Sequence, residues 1–321
     1  MQLVRSIHNL KSQLSQGCVA TIGDYDGLHL GHLQLITTLV EVARASNLPS
    51  LIITFEPLAK EFFAFKKNKI NGGFFRLGSL RDKLCLLRNK GVDYVLLTPF
   101  TAEIAKLSAG AYFKQILIDT LGVKALVVGD DFVFGCDQVY SDNFFGGLKP
   151  LGGDFKLIKV QLLKLDTKRI SSTTLREALI DNDFETSKKL LGRPYGVTAK
   201  VGVGNAIGHK LGFPTANLVF KRELPWLGVY IVKVFGVLLD NYLWGIANIG
   251  YRPTFGGSVK KFEVHLAGFR GNLYKRTVYV EFVKKIREER FFSSLDELKQ
   301  QIAADLEELN TFRSFKLSVG G

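Results

Sequence analysis

Two hydrophobic patterns alternate along the first half of the chain: short apolar runs and helical stripes. Residues 51–55 form an apolar run of the length of a buried strand. From His32 onward, apolar side chains recur at the spacing of one helix face, at Leu33, Ile36, Val40 and Ala43. Further strands are predicted at residues 19–22, 92–97, 125–128 and 155–160. This alternation predicts an α/β unit with a doubly wound parallel sheet, in which ligands bind beyond the carboxyl ends of the strands.

Two more helices are predicted in this half. Ser79 is followed three residues later by Asp82, a spacing typical of a helix N-terminus, and Leu80, Leu84 and Leu87 then form an apolar stripe. Residues 109–120 are also predicted to be helical.

The pattern changes near residue 193. Short strands with period-two alternation follow, at residues 228–235, 242–249, 261–266 and 277–283, separated by Gly and Pro. They predict a small antiparallel β-barrel. A C-terminal helix is predicted from Ser294 and Glu297, a capping-box pair that precedes an apolar face. We expect two domains, residues 1–187 and 188–321, joined by a short helical segment at 183–191.

Length and composition agree with two folded domains. The chain has 321 residues, of which 46% are hydrophobic, and it carries a net charge of +13. The charge is uneven, because residues 188–321 hold 21 basic and 11 acidic side chains, a net charge of +10. Such a charge raises the question of an RNA partner, but the aromatic–basic motifs typical of RNA-binding proteins are missing from the sequence.

Three cysteines stand far apart without a CxxC pair, which disfavours a disulfide framework or a zinc finger and favours a reducing compartment. No apolar run approaches the roughly 18 residues that a membrane helix needs, and no signal peptide is visible. We expect a soluble cytoplasmic protein with no membrane partner.

The segment 23–32 carries the most informative chemistry of the first half. It follows a predicted strand, opens a helix, and contains Gly23, Asp26, His29, Gly31 and His32. Glycines let the backbone approach a ligand, and a helix N-terminus favours a phosphate. The sequence therefore predicts a phosphate site here, although a glycine-rich turn with two surface histidines is the alternative.

A second candidate phosphate site follows the last predicted strand of this half. Residues 169–176 combine hydroxyl side chains with two arginines, a set suited to polyphosphate oxygens. The candidate residues are Arg169, Ser172, Thr173 and Arg176. An ordinary capped helix with surface arginines is the alternative.

The second half contains a glycine-rich loop and two oxygen-bearing side chains. Gly202, Gly204 and Gly208 are candidates for cradling phosphates. Thr215 and Asn217 point the same way from an extended segment and carry the hard oxygen ligands that Mg²⁺ prefers. In the strand 261–266, Glu263 and His265 share one face opposite an apolar face, so Glu263 is expected to point out of the barrel.

Residues 23–32 resemble the HxGH motif of the nucleotidyltransferase superfamily, and residues 169–176 resemble its ISST-x-x-R loop. Residues 54–57, 76–83 and 129–135 narrow the likeness to the adenylyltransferase module of the bifunctional bacterial riboflavin kinase/FAD synthetase family. Segments of the second half are similar to the riboflavin kinase module of the same family; they are 191–195, 211–217, 244–254, 261–266 and 271–274.

This resemblance implies a Rossmann-like nucleotidyltransferase domain followed by a barrel kinase domain. It implies phosphorylation of riboflavin to FMN and adenylylation of FMN to FAD, with ATP as co-substrate, Mg²⁺ as metal, and no nucleic acid partner. The oligomeric state is expected to be a monomer or a weak homo-oligomer.

The resemblance also implies roles for individual residues. Glu263 is the catalytic base of the kinase, with the metal on Thr215 and Asn217, and His29, His32 and Arg176 act in adenylylation. Flavin contacts are expected from Phe55, Asp131, Asn248 and Arg252.

Two alternatives stay open. The family usually has His-Pro after residues 54–57 and many members have Arg in place of Val133, whereas this chain has Leu58, Ala59 and Val133. One alternative is therefore a riboflavin kinase with weak or lost adenylyltransferase activity. The other is a non-catalytic flavin-binding regulator, against which Glu263, Thr215 and Asn217 argue.

Overall fold

Parallel strands and the helices between them build the first of two units into which the chain divides, Met1–Thr174 and Leu175–Gly321. The computed structural model describes residues 1–66, 74–140, 155–203, 213–219, 224–238, 241–254 and 257–319. The strands of the first unit are β1 (Gln2–Val4), β2 (Cys18–Ile22), β3 (Ser50–Phe55), β4 (Tyr94–Thr98), β5 (Val123–Gly129), β6 (Val133–Phe134), β7 (Val139–Tyr140), β8 (Lys156–Val160), β9 (Lys164–Leu165) and β10 (Lys168–Arg169). Its helices are α1 (His8–Lys11), α2 (Leu30–Ala45), α3 (Ala59–Lys66), α4 (Leu80–Asn89) and α5 (Ala109–Tyr112).

The sheet of this unit has the order β1-β4-β3-β2-β5-β8, and every pair is parallel. Strand order reverses between β2 and β5, which is where doubly wound sheets bind their ligands. Successive residues face opposite sides. Leu51 and Ile53 enter one buried cluster, while Ile52 enters the other with Ile36 and Leu39 of α2. The predicted doubly wound parallel sheet is confirmed.

Local details differ from the predictions in two places. The segment predicted as one helix at 109–120 is a single α-turn, α5, that runs into a π-helix at Phe113–Ile118. There the N–H of Asp119 donates to the carbonyl of Lys114, five residues back. Strand β1 was not predicted, because three residues carry too little pattern, yet it extends the sheet beside β4.

A closed six-stranded antiparallel barrel forms the core of the second unit, with the order β11-β12-β15-β14-β13-β16. Its strands are β11 (Gly196–Gly202), β12 (Thr215–Val219), β13 (Gly228–Leu238), β14 (Asn241–Thr254), β15 (Gly257–Leu266) and β16 (Thr277–Arg287). Its helices are α6 (Ser172–Ile180, beginning in the first unit), α7 (Phe184–Leu191) and α8 (Leu295–Val319). The predicted barrel with a C-terminal helix is confirmed.

The barrel interior is apolar and rich in aromatic rings. Phe262, Val264 and Leu266 of β15 are all buried, so the alternate residues Glu263 and His265 lie on the outer face as predicted. Part of that outer face is covered by α8, whose Leu309 packs with Val229, Ile231 and Ile246.

Two serines, Ser293 and Ser294, share the capping of the N-terminus of helix α8. The N–H of Glu297 donates to the hydroxyl of Ser294, but the Glu297 carboxylate accepts from Ser293, at 2.9 Å from both its N–H and its hydroxyl. Among the described residues, no helix is both long enough and apolar enough to cross a membrane.

Candidate functional site

A strained turn follows β2 and carries the first candidate site. Tyr25, Gly27 and Leu28 all have positive φ angles, of 47°, 83° and 45°, and two of them are not glycine. The turn is anchored from inside, because the hydroxyls of Tyr25 and Thr21 lie 2.6 Å apart and that of Thr21 donates to the carbonyl of Val127 on β5. The chain is thereby turned so that the next residue, His29, is the N-cap of helix α2.

Two charged side chains form further hydrogen bonds that fix this turn. The ammonium of Lys83, buried on α4, donates to the carbonyl of Asp24 at 2.5 Å and to the hydroxyl of Thr54 at 3.3 Å. Burial lowers the pKa of Lys83. The buried carboxylate of Asp26 accepts from the N–H groups of Leu77 at 3.0 Å and Gly78 at 3.3 Å. Asp26 thus pins the segment before α4, and its predicted nucleotide contact stays a prediction.

His29 and His32 lie ring on ring at the N-terminus of α2. Their centroids are 3.7 Å apart at an interplanar angle of 18°, and Nδ1 of His29 accepts the N–H of His32 at 3.3 Å. Gly31 permits this, since a Cβ there would lie 3.3 Å from Nδ1 of His29 and 3.5 Å from the carbonyl of Ile170. The structure therefore brings together the two predicted histidines.

The electrostatic surroundings keep His32 neutral. Burial lowers its pKa well below the usual value, and the electrostatic effect of the nearby His29, Lys83, Arg169 and Lys60 side chains lowers it further. Its Nδ1 atom is buried and has no hydrogen-bond partner among the described residues. His32 is thus a neutral imidazole with a polar atom available to a bound group.

A second helix N-terminus meets the same turn. Ser171 caps α6, since its hydroxyl accepts the N–H of Thr174 at 3.1 Å while the Thr174 hydroxyl accepts the N–H of Ser171 at 3.0 Å. The hydroxyl of Ser172 donates to the carbonyl of Asp26 at 2.9 Å. Two positive helix ends, those of α2 and α6, therefore converge beyond the ends of β2 and β5.

The remaining predicted residues of this half differ in their exposure and their contacts. Thr173 is exposed, and Arg176 is buried one helical turn after Ser172. Arg169 forms an ion pair with Asp131, so a predicted phosphate ligand and a predicted flavin ligand contact each other. Gly23 begins the turn after β2, and a Cβ there would lie 3.3 Å from the Tyr25 ring.

Phe55 belongs to a group of aromatic rings. Its ring meets that of Phe100 edge to face at 5.2 Å, and Phe62 and Phe63 on α3 also pack against Phe100. Phe63 is 45% exposed, which leaves an aromatic surface open at this point. The flavin contact of Phe55 stays a prediction; the sequence did not single out the other three rings, for which the adjacent pair Phe62 and Phe63 was the available signal.

In the second unit, pairing across three strands aligns the predicted kinase residues. Glu263 on β15 lies opposite Asn217 on β12 and opposite Asn248 on β14. Directly opposed residues in a sheet have Cβ atoms about 5 Å apart. Two residues along, His265 lies opposite Thr215, and its Nδ1 is 2.9 Å from the carbonyl of Pro214. A row of polar side chains thus crosses the outer face of the barrel.

This row borders a cavity of about 220 Å³ between the barrel and α8. Thr215, Asn248 and Glu263 all line it. Sequence reasoning missed its charged border, where Arg287 donates from Nε and Nη2 to the buried carboxylate of Asp305, at 2.9 and 2.8 Å. That pair joins residues 18 positions apart, and no local sequence pattern predicts it.

Gly202 faces Asn217 across β11 and β12. A Cβ at Gly202 would lie 2.6 Å from Cγ2 of Val219, so this strand pairing requires glycine. The predicted phosphate residues Gly204 and Gly208 lie outside the described residues, as does the side chain of Arg252.

Comparison with known families assigns both units. The model described as FAD synthetase matches residues 11–174, and the model described as riboflavin kinase matches residues 191–313. The two models correspond to the two modules of the resemblance drawn from the sequence, which is confirmed.

Individual proteins are similar along almost the whole chain. The bifunctional riboflavin kinase/FMN adenylyltransferase of Escherichia coli (strain K12) is 42% identical over 308 residues, covering 95% of this chain and 96% of that protein. The protein of the same description from Pseudomonas fluorescens is 42% identical over 309 residues, again covering 95% and 96%.

One solved structure has the same fold throughout. It is described as a macrolide-efflux protein from Streptococcus pneumoniae, is 28% identical, and superposes with a TM-score of 0.77 over 96% of this chain and 98% of that one. Family models over both units and relatives at 42% identity along the whole length lead to one assignment. The chain belongs to the family of bifunctional riboflavin kinase/FMN adenylyltransferases.

Proposed function

We propose that this enzyme phosphorylates riboflavin to FMN in its second unit and adenylylates FMN to FAD in its first, using ATP in both reactions. The observation that carries the proposal is the presence of two separate polar sites in one chain. One lies where two helix N-termini converge beside stacked histidines, and the other is the row Asn217–Glu263–Asn248.

In the kinase reaction, Glu263 is the general base. Its carboxylate accepts the proton of the riboflavin 5′-hydroxyl as that oxygen bonds to the γ-phosphorus of ATP and ADP leaves. Phosphoryl transfer depends mainly on positioning and charge neutralisation, so one base on a rigid strand suffices. The cavity beside Glu263 accepts the flavin, with Asn248 on its wall and Arg252 further along the same strand. Gly202, Gly204 and Gly208 belong to the segment that covers the phosphates.

The donors at this row fit Mg²⁺. Thr215 and Asn217 are two apart on β12 and both face outward, and they offer a hydroxyl and an amide oxygen beside the Glu263 carboxylate. Mg²⁺ takes few protein ligands and keeps several waters, so these oxygens are a sufficient set. The metal, when bound, neutralises charge on the ATP phosphates.

In the adenylylation reaction, the phosphate of FMN attacks the α-phosphorus of ATP and pyrophosphate leaves. A phosphomonoester is largely anionic at pH 7, so the reaction needs charge stabilisation rather than a strong base. His29, His32 and the N-termini of α2 and α6 supply it. The first turns of α6 carry Ser172, Thr173 and Arg176. The ion pair of Arg169 with Asp131 lies beside the flavin of FMN.

We further infer that the boundary between the modules lies near residue 187, in α7, and that the enzyme works in the cytoplasm as a monomer or weak homo-oligomer without a nucleic acid partner. The net charge of +10 on residues 188–321 is consistent with binding ATP and FMN, both of which are polyanions.

One incubation tests the proposal. The pure protein is mixed with riboflavin, ATP and Mg²⁺, and riboflavin, FMN and FAD are separated by chromatography over time. We expect FMN first and FAD later. FMN without FAD would support a kinase with a lost adenylyltransferase, in line with Leu58 and Val133, and the absence of both products would refute the enzymatic function.

A further inference from the structure

The barrel unit contains another cavity besides the one that Glu263 lines. It has a volume of about 400 Å³ and is bounded by β13, β14, β16, α7 and the end of α8. The two cavities share no lining residue. Their nearest lining residues on α8, Asp305 and Arg313, are eight positions or roughly 12 Å apart, and on β14 Ile246 and Trp244 line the two cavities from positions two apart. The volume lies in the range of small-molecule sites.

Positive side chains from three separate elements face this cavity. They are Lys188 of α7, Lys233 of β13, and Arg313 and Lys316 of α8. Two carboxylates, Glu185 and Glu281, also line it, which leaves a formal charge of +2. Glu281 lies directly opposite Lys233 across β13 and β16, and burial raises the pKa of its carboxyl although Lys233 and Lys188 act to lower it. The cavity is therefore suited to an anion.

Aromatic rings form one wall beside the central lysine. The rings of Tyr242 and Trp244 meet edge to face with centroids 5.7 Å apart. The ammonium of Lys233 lies 4.4 Å from the Tyr242 centroid and 5.1 Å from the Trp244 centroid. The ammonium can bind an anionic group, and the aromatic rings can pack against a flat ring. This combination suits a ligand that carries both.

We propose that this cavity binds an aromatic phosphomonoester of mononucleotide size, with its phosphate on Lys188, Lys233 and the two basic residues of α8 and its ring against Tyr242 and Trp244. The site is additional to the two substrate sites proposed above. AMP and FMN share this chemistry, one with a nucleobase and the other with a flavin ring.

Trp244 provides the readout. The chain has only two tryptophans, and the other, Trp226, is buried in the barrel. AMP is titrated into the full-length protein while Trp244 emission is recorded, and Trp244→Phe identifies the signal. We expect one saturable transition per chain, weakened at least tenfold by Lys233→Met. Lys200→Met removes an equal charge from an exposed position of β11 outside the cavity and should leave the transition unchanged.

Glu281→Gln gives a result that misfolding cannot imitate. It removes the negative charge that faces the proposed phosphate, so AMP should bind several-fold more tightly. A calorimetric titration with FMN, compared between the wild type and Lys233→Met, shows whether the flavin uses the same site.

Three results would overturn the proposal. The first is no saturable signal with AMP up to about 10 mM, a concentration at which even millimolar sites fill. The second is equal weakening by Lys200→Met and Lys233→Met, which would mean that the charges act only as a solvated surface. The third is loss of riboflavin phosphorylation together with AMP binding in Lys233→Met, which would place AMP in the kinase site.

Discussion

At the scale of single residues, the first site holds two imidazoles in contact, one of which, His32, is neutral. Nδ1 of His29 accepts the backbone N–H of His32, and burial keeps the His32 imidazole uncharged. Neutral imidazoles donate or accept hydrogen bonds without adding a full positive charge to a buried site. This suits stabilisation of developing phosphate charge, where the attacking group is already an anion.

Replacing His29 separates the two reactions. We expect His29→Ala to reduce FAD formation from FMN by at least a hundredfold, because a transition-state contact worth several kcal/mol is lost. Riboflavin phosphorylation should stay near normal. Glu263→Ala should strongly reduce riboflavin phosphorylation, while FAD formation from supplied FMN stays near normal. A folded variant that lost both activities would contradict two independent sites.

Burial of His32 predicts a pH-dependent stability. Its folded-state pKa is lowered, so the unfolded chain binds a proton more readily as the pH falls below about 6.5, the ordinary histidine value. The stabilisation is complete above that pH and is lost towards the folded-state pKa, with a slope of up to about 1.4 kcal/mol per pH unit.

Thermal unfolding followed by far-ultraviolet circular dichroism at pH 7.5 and 5.5 measures this effect. Between pH 7.5 and 5.5 the melting temperature of the wild type should fall further than that of His32→Gln, whose side chain does not titrate. Equal losses in the two proteins would show that His32 is not the group that titrates.

At the scale of elements, a buried ion pair and an apolar patch help to attach α8 to the barrel. Asp305 contacts Arg287 of β16, while Leu309, one turn later, packs on β13 and β14. The helix also lines the cavity beside Glu263, through Leu298, Ile302 and Asp305. Its attachment therefore shapes the proposed flavin site.

We expect Asp305→Ala to lower the free energy of unfolding by about 3 kcal/mol, because it leaves the Arg287 guanidinium largely buried without its carboxylate. Urea unfolding measures the change. Glu308→Ala, on the same helix, is the matched control, since it breaks an exposed ion pair with Lys284 of β16 and should cost less than about 1 kcal/mol. Similar losses in both variants would mean that the Asp305 pair does not anchor the helix.

Elements with a local signal could be predicted, and contacts between distant segments could not. The capping box of Ser79 with Asp82 needs only four residues and forms as expected. Glu263 was placed outward from a five-residue alternation. The contact of Lys83 with Asp24 spans 59 positions, and the pairing of β1 with β4 spans 92 between Gln2 and Tyr94. Such contacts follow from the tertiary fold, which no local pattern encodes.

At the scale of the whole molecule, the two reactions share FMN but no residue of their proposed sites. The adenylylation site is built on β2, α2 and the start of α6, and the kinase row on β12, β14 and β15. We therefore expect FMN to be released from the kinase site before it reaches the adenylylation site.

Mixing two single-site variants tests this independence. His29→Ala with Glu263→Ala should together convert riboflavin to FAD, although neither does so alone, because free FMN passes from one protein to the other. Chromatography of the mixture measures FAD. If each variant retains its own activity and the mixture still makes no FAD, then FMN is not released between the two steps.

The alternation of β15 assigns neighbouring positions to different selective pressures. Phe262, Val264 and Leu266 fill the barrel, whereas Glu263 and His265 face the site on its outer surface. A saturation-mutagenesis scan of this strand should show a period of two in each readout. Folded yield should depend on the even positions and turnover on the odd ones, so catalytic variation can accumulate here without eroding the core.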